Sequence, residues 1–164
     1  MVIGSLDRFF EPRDGMILLD TGHDWRRREP VQPSTGVFAF TAGEQGHILD
    51  AFQIVPERAI AQFRNEQDFV SAHAREMSLW PTGAVISFKR HLVSRYGRDL
   101  VYTPPPPGTG PAILAFHGDP RPADLLRSGV WGRFPHLGRG PVGWVQDYWT
   151  GYGGRLPTAK ETML

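Results

Sequence analysis

The sequence predicts an α/β fold from three observations. Short, continuous apolar runs are bounded by turn residues, stretches with helical spacing lie between them, and the chain has 164 residues. Met16-Ile17-Leu18-Leu19 and Ala112 to Phe116 are too short for helices and lack polar alternation, the pattern of strands buried on both faces. A single domain of this length can bury roughly 68–70% of the surface its unfolded chain exposes, so a sizeable core is available.

Val2-Ile3-Gly4 reads as the end of a buried strand that enters a turn at Ser5 to Asp7. Met16 to Leu19, between Asp14-Gly15 and Asp20, is a second strand, and residues 22–33 form a polar, Arg-rich loop. Gly36 to Phe40 carries β-branched and aromatic residues and reads as a strand. Helical spacing follows. Ile48, Leu49 and Phe52 share a face, Pro56 opens a segment with Ala59, Ile60 and Phe63, and Phe69, Val70, His73 and Met77 form a third stretch that stops at Trp80-Pro81. Ala84 to Phe88 is a further strand. The run Pro104 to Gly108 is a stiff connector that fits neither a helix interior nor a central strand. After the strand Ala112 to Phe116, Ala123 to Arg127 makes one or two helical turns. Two segments are expected: 1–127 as the main domain, and 128–164 as a Gly-, Pro- and aromatic-rich extension without an assignable motif.

Composition removes several function classes. The 18 Lys and Arg against 17 Asp and Glu leave a net charge of +1, without the basic footprint of a nucleic-acid binder. No apolar stretch reaches the roughly 18–20 residues that span a bilayer. Zero cysteines exclude disulfides, thiolate metal sites and cysteine nucleophiles, which fits a cytoplasmic setting. Any metal must be held by His, Asp or Glu.

The most informative segment is Phe116-His117-Gly118-Asp119-Pro120-Arg121-Pro122, at the end of a buried strand, where open α/β sheets place ligands. His117 offers an imidazole to a cation, Gly118 lets backbone approach a ligand closely, and Arg121 can grip phosphate. The plainer role for these residues is an ordinary strand-to-helix turn. This segment resembles the H-x-G-x-x-K-P-type signature of nucleotide-sugar glycosyltransferases with the GT-A fold, especially those related to glycogenin and bacterial galactosyltransferases. In this sequence His and Gly are adjacent, and Arg121 stands where Lys is commoner. The resemblance implies His117 as a ligand to Mn²⁺ or Mg²⁺, and Gly118 and Arg121 as contacts to the donor diphosphate.

Two further segments follow in the order such enzymes show. Ser34-Thr35-Gly36-Val37 resembles the N-[SAT]-G-V stretch that lines the donor sugar, which implies donor-binding roles for Ser34, Thr35 and Gly36. Arg64-Asn65-Glu66-Gln67-Asp68 resembles the D-Q-D segment, which implies that Glu66 and Gln67 stand on the catalytic side. The same residues also make a well-capped helix start. Lys89, Arg90 and His91 could meet an acceptor or phosphate, with surface charge as their plainer role, and His73 reads as a satisfied helix-face histidine. The resemblance covers most of residues 1–122.

No D-x-D motif occurs in this chain. On the alignment implied by Val2 to Asp7, that motif would lie immediately before Met1, together with the nucleotide-binding β/α units. The expectation is therefore a partial GT-A-like mixed sheet flanked by helices, a truncated glycosyltransferase that is weakly active or inactive alone. Its partners would be a nucleotide-sugar donor and a saccharide or other hydroxyl acceptor. Two alternatives stay open. One is a non-catalytic domain derived from such an enzyme that binds carbohydrate or protein. The other is a metal-dependent phosphoesterase built on His117, Asp119 and His91, which lacks the paired carboxylates of a two-metal site.

Overall fold

Strand β1 (Met16–Asp20) carries four consecutive buried residues, Met16 through Leu19, all within the core. The computed structural model describes residues 1–11, 13–21 and 33–158, so the expected loop at 22–33, with His23, Asp24 and Trp25, lies outside the described residues but for Pro33. The described residues form a mixed α/β structure with small sheets and helices. Two compact units are interleaved along the chain. One comprises Met1–Ile86 with Gly110–Ala115, and the other Ser87–Thr109 with Phe116–Leu164.

In the first unit β1 is the centre of a three-stranded sheet. Strand β2 (Pro33–Phe40) pairs with it antiparallel, Met16 opposite Phe40 and Leu19 opposite Ser34, with a bulge between Ile17 and Leu19. Strand β3 (Met77–Leu79) pairs on its other edge in parallel, Met16 opposite Met77. Because both edges of β1 are hydrogen-bonded and both faces are covered, its continuous apolar sequence is what the position requires. Trp80, directly after β3, joins Ile17, Leu19, Val85 and Ala115 in the core. Its indole nitrogen donates to Val37 O at 3.2 Å, and Phe9 packs on its ring at a centroid distance of 4.4 Å.

Helices α1 (Gly46–Ile54), α2 (Pro56–Gln62) and α3 (Glu66–His73) lie between β2 and β3. Pro56 sits at the start of α2, where its missing N–H costs nothing. Asn65 caps α3, its Oδ1 accepting from Asp68 N at 3.0 Å. His73 is satisfied as expected: its Nδ1 bonds Phe69 O at 2.8 Å and its ring packs on Phe63 and Phe69. The helix expected to run to Met77 ends at His73 instead. Ala74 is extended and Glu76 takes φ 51, so Met77 is delivered to the edge of β1 as a strand residue. The open edge of a buried strand outweighs a helical spacing of four side chains. Val2-Ile3 contributes only an isolated bridge to Ile113 and a bond from Ile3 N to Ala112 O, not a strand. Strands β4 (Val85–Ser87) and β5 (Ile113–Ala115) form a two-stranded sheet, each shorter than its apolar run.

The second unit is built around Phe88, which is fully buried and meets the rings of Phe116, Trp131 and Trp144 at 5.1, 6.0 and 6.2 Å. Residues Phe88–Leu92 form a π-helical turn and Pro122–Leu126 a 3-10 turn. The aromatic region beyond residue 128 folds as a hairpin, β6 (Gly129–Arg133) against β7 (His136–Gly140), followed by α4 (Gly143–Gly151). The proline run is anchored at its first residue, where Pro104 O accepts from Trp144 Nε1 at 2.9 Å. Gly138 is required by close approach, since a Cβ there would meet the Trp131 ring. No described helix is long and apolar enough to cross a membrane.

Leu18→Ala is expected to lower the unfolding free energy by about 2–5 kcal/mol, because the side chain is fully buried and its neighbours are held by strand pairing on both sides. Urea unfolding of the purified variant checks this.

Candidate functional site

The residues singled out in the sequence fall into two groups, one in each unit. Ser34, Thr35, Gly36, Glu66 and Gln67 lie in the first unit, and His117, Gly118 and Arg121 in the second.

In the first unit the sheet brings β2 to the start of α3. Ser34 is buried opposite Leu19, and its Oγ accepts from Gly36 N at 3.2 Å. Ser34 is thus committed to its own backbone turn. Thr35 Oγ1 donates to Glu66 Oε1 at 3.4 Å, joining two residues 31 positions apart. Both line a cavity of about 750 Å³ whose walls come from β2 and all three helices, with Phe38, Phe52, Phe63 and Phe69 among them. Gln67 does not line this cavity, and Gly36 is exposed with room for a side chain.

In the second unit His117 follows β5 and Gly118 takes φ +69, a left-handed conformation that glycine adopts without strain. The turn Phe88–Leu92 folds over the same place. Ser87 Oγ lies 3.3 Å from His117 Nε2, and it also accepts from Arg90 N at 3.2 Å. His91 Nδ1 closes the turn onto Ser87, 3.0 Å from its nitrogen and 3.1 Å from its oxygen. Lys89 Nζ lies 3.8 Å from the point that a Cβ on Gly118 would occupy.

Burial, and after it the positive charges of Arg90, Lys89 and His91, pull the His117 pKa down to about 4. The imidazole is therefore neutral at pH 7. Arg121 stands at the start of the 3-10 turn, exposed, with its N–H donating to Asp124 Oδ2 at 2.7 Å. The basic residues gathered near His117 and Gly118 are thus the cations Lys89 and Arg90, with the His91 ring folded onto Ser87 beside them, residues whose plainer role in sequence was surface charge. The signal in sequence was the basic triplet directly after an apolar strand.

A divalent cation does not fit this group of residues. His117 Nε2 is engaged with Ser87, and Nδ1 is buried without a hydrogen-bond partner and closed to ligands. The charges of Lys89 and Arg90 act against a further cation beside the ring. The adjacent Asp119 pairs with Arg133 at 3.4 Å, and no group of three His, Asp or Glu side chains that could hold a metal occurs among the described residues. What the arrangement offers chemically is a concentration of positive charge beside a glycine turn, suited to an oxyanion.

No protein-family model matches the chain, and no curated protein or solved structure matches it either.

The depressed pKa of His117 fixes the direction of a pH effect. The unfolded chain protonates near the ordinary 6.5 and the folded one near 4, so the unfolded state binds more protons between those values. The stability contributed by this neutral ring is complete above about pH 6.5 and is lost as pH falls towards 4. Denaturant midpoints at pH 7 and pH 4.5 should therefore fall less for His117→Asn than for the parent chain.

Proposed function

We propose that this chain serves transfer of a sugar from a nucleotide-sugar donor to a hydroxyl acceptor, and that the turn carrying Lys89, Arg90 and His91 holds the donor diphosphate beside Gly118. One observation carries the reading: the cations Lys89 and Arg90 lie near a neutral imidazole and a left-handed glycine in the segment whose sequence resembles the diphosphate signature of GT-A glycosyltransferases.

In such a transfer the bond from the sugar's anomeric carbon to the diphosphate oxygen breaks and its electron pair leaves with the diphosphate. The acceptor oxygen forms the new bond and gives up its proton to solvent water. Negative charge grows on the departing phosphate, so fixed cations stabilise the transition state more than the ground state. Lys89 and Arg90 supply that charge here, and Arg121 adds an exposed guanidinium. His117 acts as a positioning residue: its contact to Ser87 holds the turn that presents Lys89 and Arg90. The resemblance also implies Mn²⁺ or Mg²⁺, but the described residues do not accommodate it, and no step here runs through a metal.

Calorimetric titration with inorganic pyrophosphate tests this directly. Binding is expected to persist in EDTA, to weaken with salt, and to fall about tenfold in Lys89→Ala, the loss of one charge-assisted contact. Equal affinity in Lys89→Ala and the parent chain would sink the proposal.

A further inference from the structure

The cavity bordered by Thr35 and Glu66 has a composition of its own. Phe38, Phe40, Ile48, Leu49, Phe52 and Ile60 give it an almost wholly apolar wall, and at about 750 Å³ it falls within the range of small-molecule sites rather than of flat protein interfaces. Ring contacts brace the wall. Phe69 is wedged edge-on between Phe52 at 5.8 Å and Phe63 at 5.2 Å, and Phe38 stacks on Phe40 at 6.0 Å. The ends of α1 and α3 are tied together, since His47 Nε2 bonds His73 O at 2.8 Å and Gln45 Nε2 reaches Arg75 O at 3.4 Å.

Polar groups collect where α2 passes into α3. Asn65 is spent on capping and Gln45 on Arg75, which leaves the Thr35 hydroxyl and the Glu66 carboxylate, with Arg64 two residues away. The lining contains one acid and one base, so it has no net charge to favour an ionised head group. A hydroxyl meets the need better, because it can donate to Glu66 while its apolar body covers the aromatic wall.

We infer that this cavity binds a neutral amphiphilic alcohol, an alkyl or ring-bearing body in the aromatic trough with its hydroxyl directed to Glu66.

The test uses n-decanol and its methyl ether, titrated into the full chain and followed by NMR chemical shifts. Ile60 and Leu49 line the cavity yet are 71% and 59% exposed, so a charge at either is compatible with folding. Decanol is expected to bind about tenfold more tightly than the ether, a preference that disappears in Glu66→Ala, and Ile60→Glu and Leu49→Glu should each weaken it by about tenfold or more. Val130→Glu, an exposed apolar site in the other unit, serves as control and should change nothing.

Equal binding of ether and alcohol overturns the role given to Glu66, and binding untouched by both glutamate substitutions places the ligand elsewhere. If the ligand-free chain is a dimer that Ile60→Glu dissociates, the trough belongs to a second copy and the inference fails. Pyrophosphate affinity on the same samples reports the transferase reading separately, so either idea can fall alone.

Discussion

The structure of the first unit depends on satisfying β1 on every side. A strand with four consecutive buried apolar side chains has no face to give to water, and each of its edges presents backbone groups that must find partners. The chain meets that demand from two directions: β2 approaches antiparallel, and β3 arrives in parallel only after three helices have carried the chain back. Phe40 at the end of β2 and Met77 at the start of β3 both lie beside Met16, so the three helices leave and return at the same end of the sheet, where they form a cavity with β2. The Thr35–Glu66 contact follows from the same geometry, because the strand opposite Leu19 and the start of α3 meet at the end of the sheet.

The second unit answers to an electrostatic constraint as much as to packing. Phe88 anchors the π-helical turn in an aromatic core, and this fixes where the next three residues can go. Placing Lys89 and Arg90 near a buried imidazole opposes protonation of that ring. The aromatic cluster thus holds in place a charge distribution that the residues would not adopt unaided.

Much of this was legible in the chain because the strongest signals were local. Met16 to Leu19 announced a buried strand, Pro56 and Asn65 marked two helix starts, and the segment after Phe116 pointed to a turn. Met77 was misread since spacing alone cannot report that β1 has an unfilled edge. The hairpin Gly129–Arg133 with His136–Gly140 was missed because its strands are rich in glycine and its stability comes from Trp131 packing across Gly138, a contact between distant atoms with no periodic trace. Convergence of Lys89 on Gly118 was equally invisible, being set by the fold of a π-helical turn rather than by spacing. The cavity shared by β2 and three helices is a property of their enclosure, which individual amphipathic faces do not encode.

The interleaving of the two units bears on how this protein could be altered by recombination. The chain leaves the first unit after Ile86, returns to it for Gly110–Ala115 to supply β5, and leaves it again. A single breakpoint between residues 87 and 109 therefore parts β4 from β5, while one later than 115 divides the second unit from its own opening segment. No one junction yields two whole modules, so exchange by simple crossover damages at least one of them.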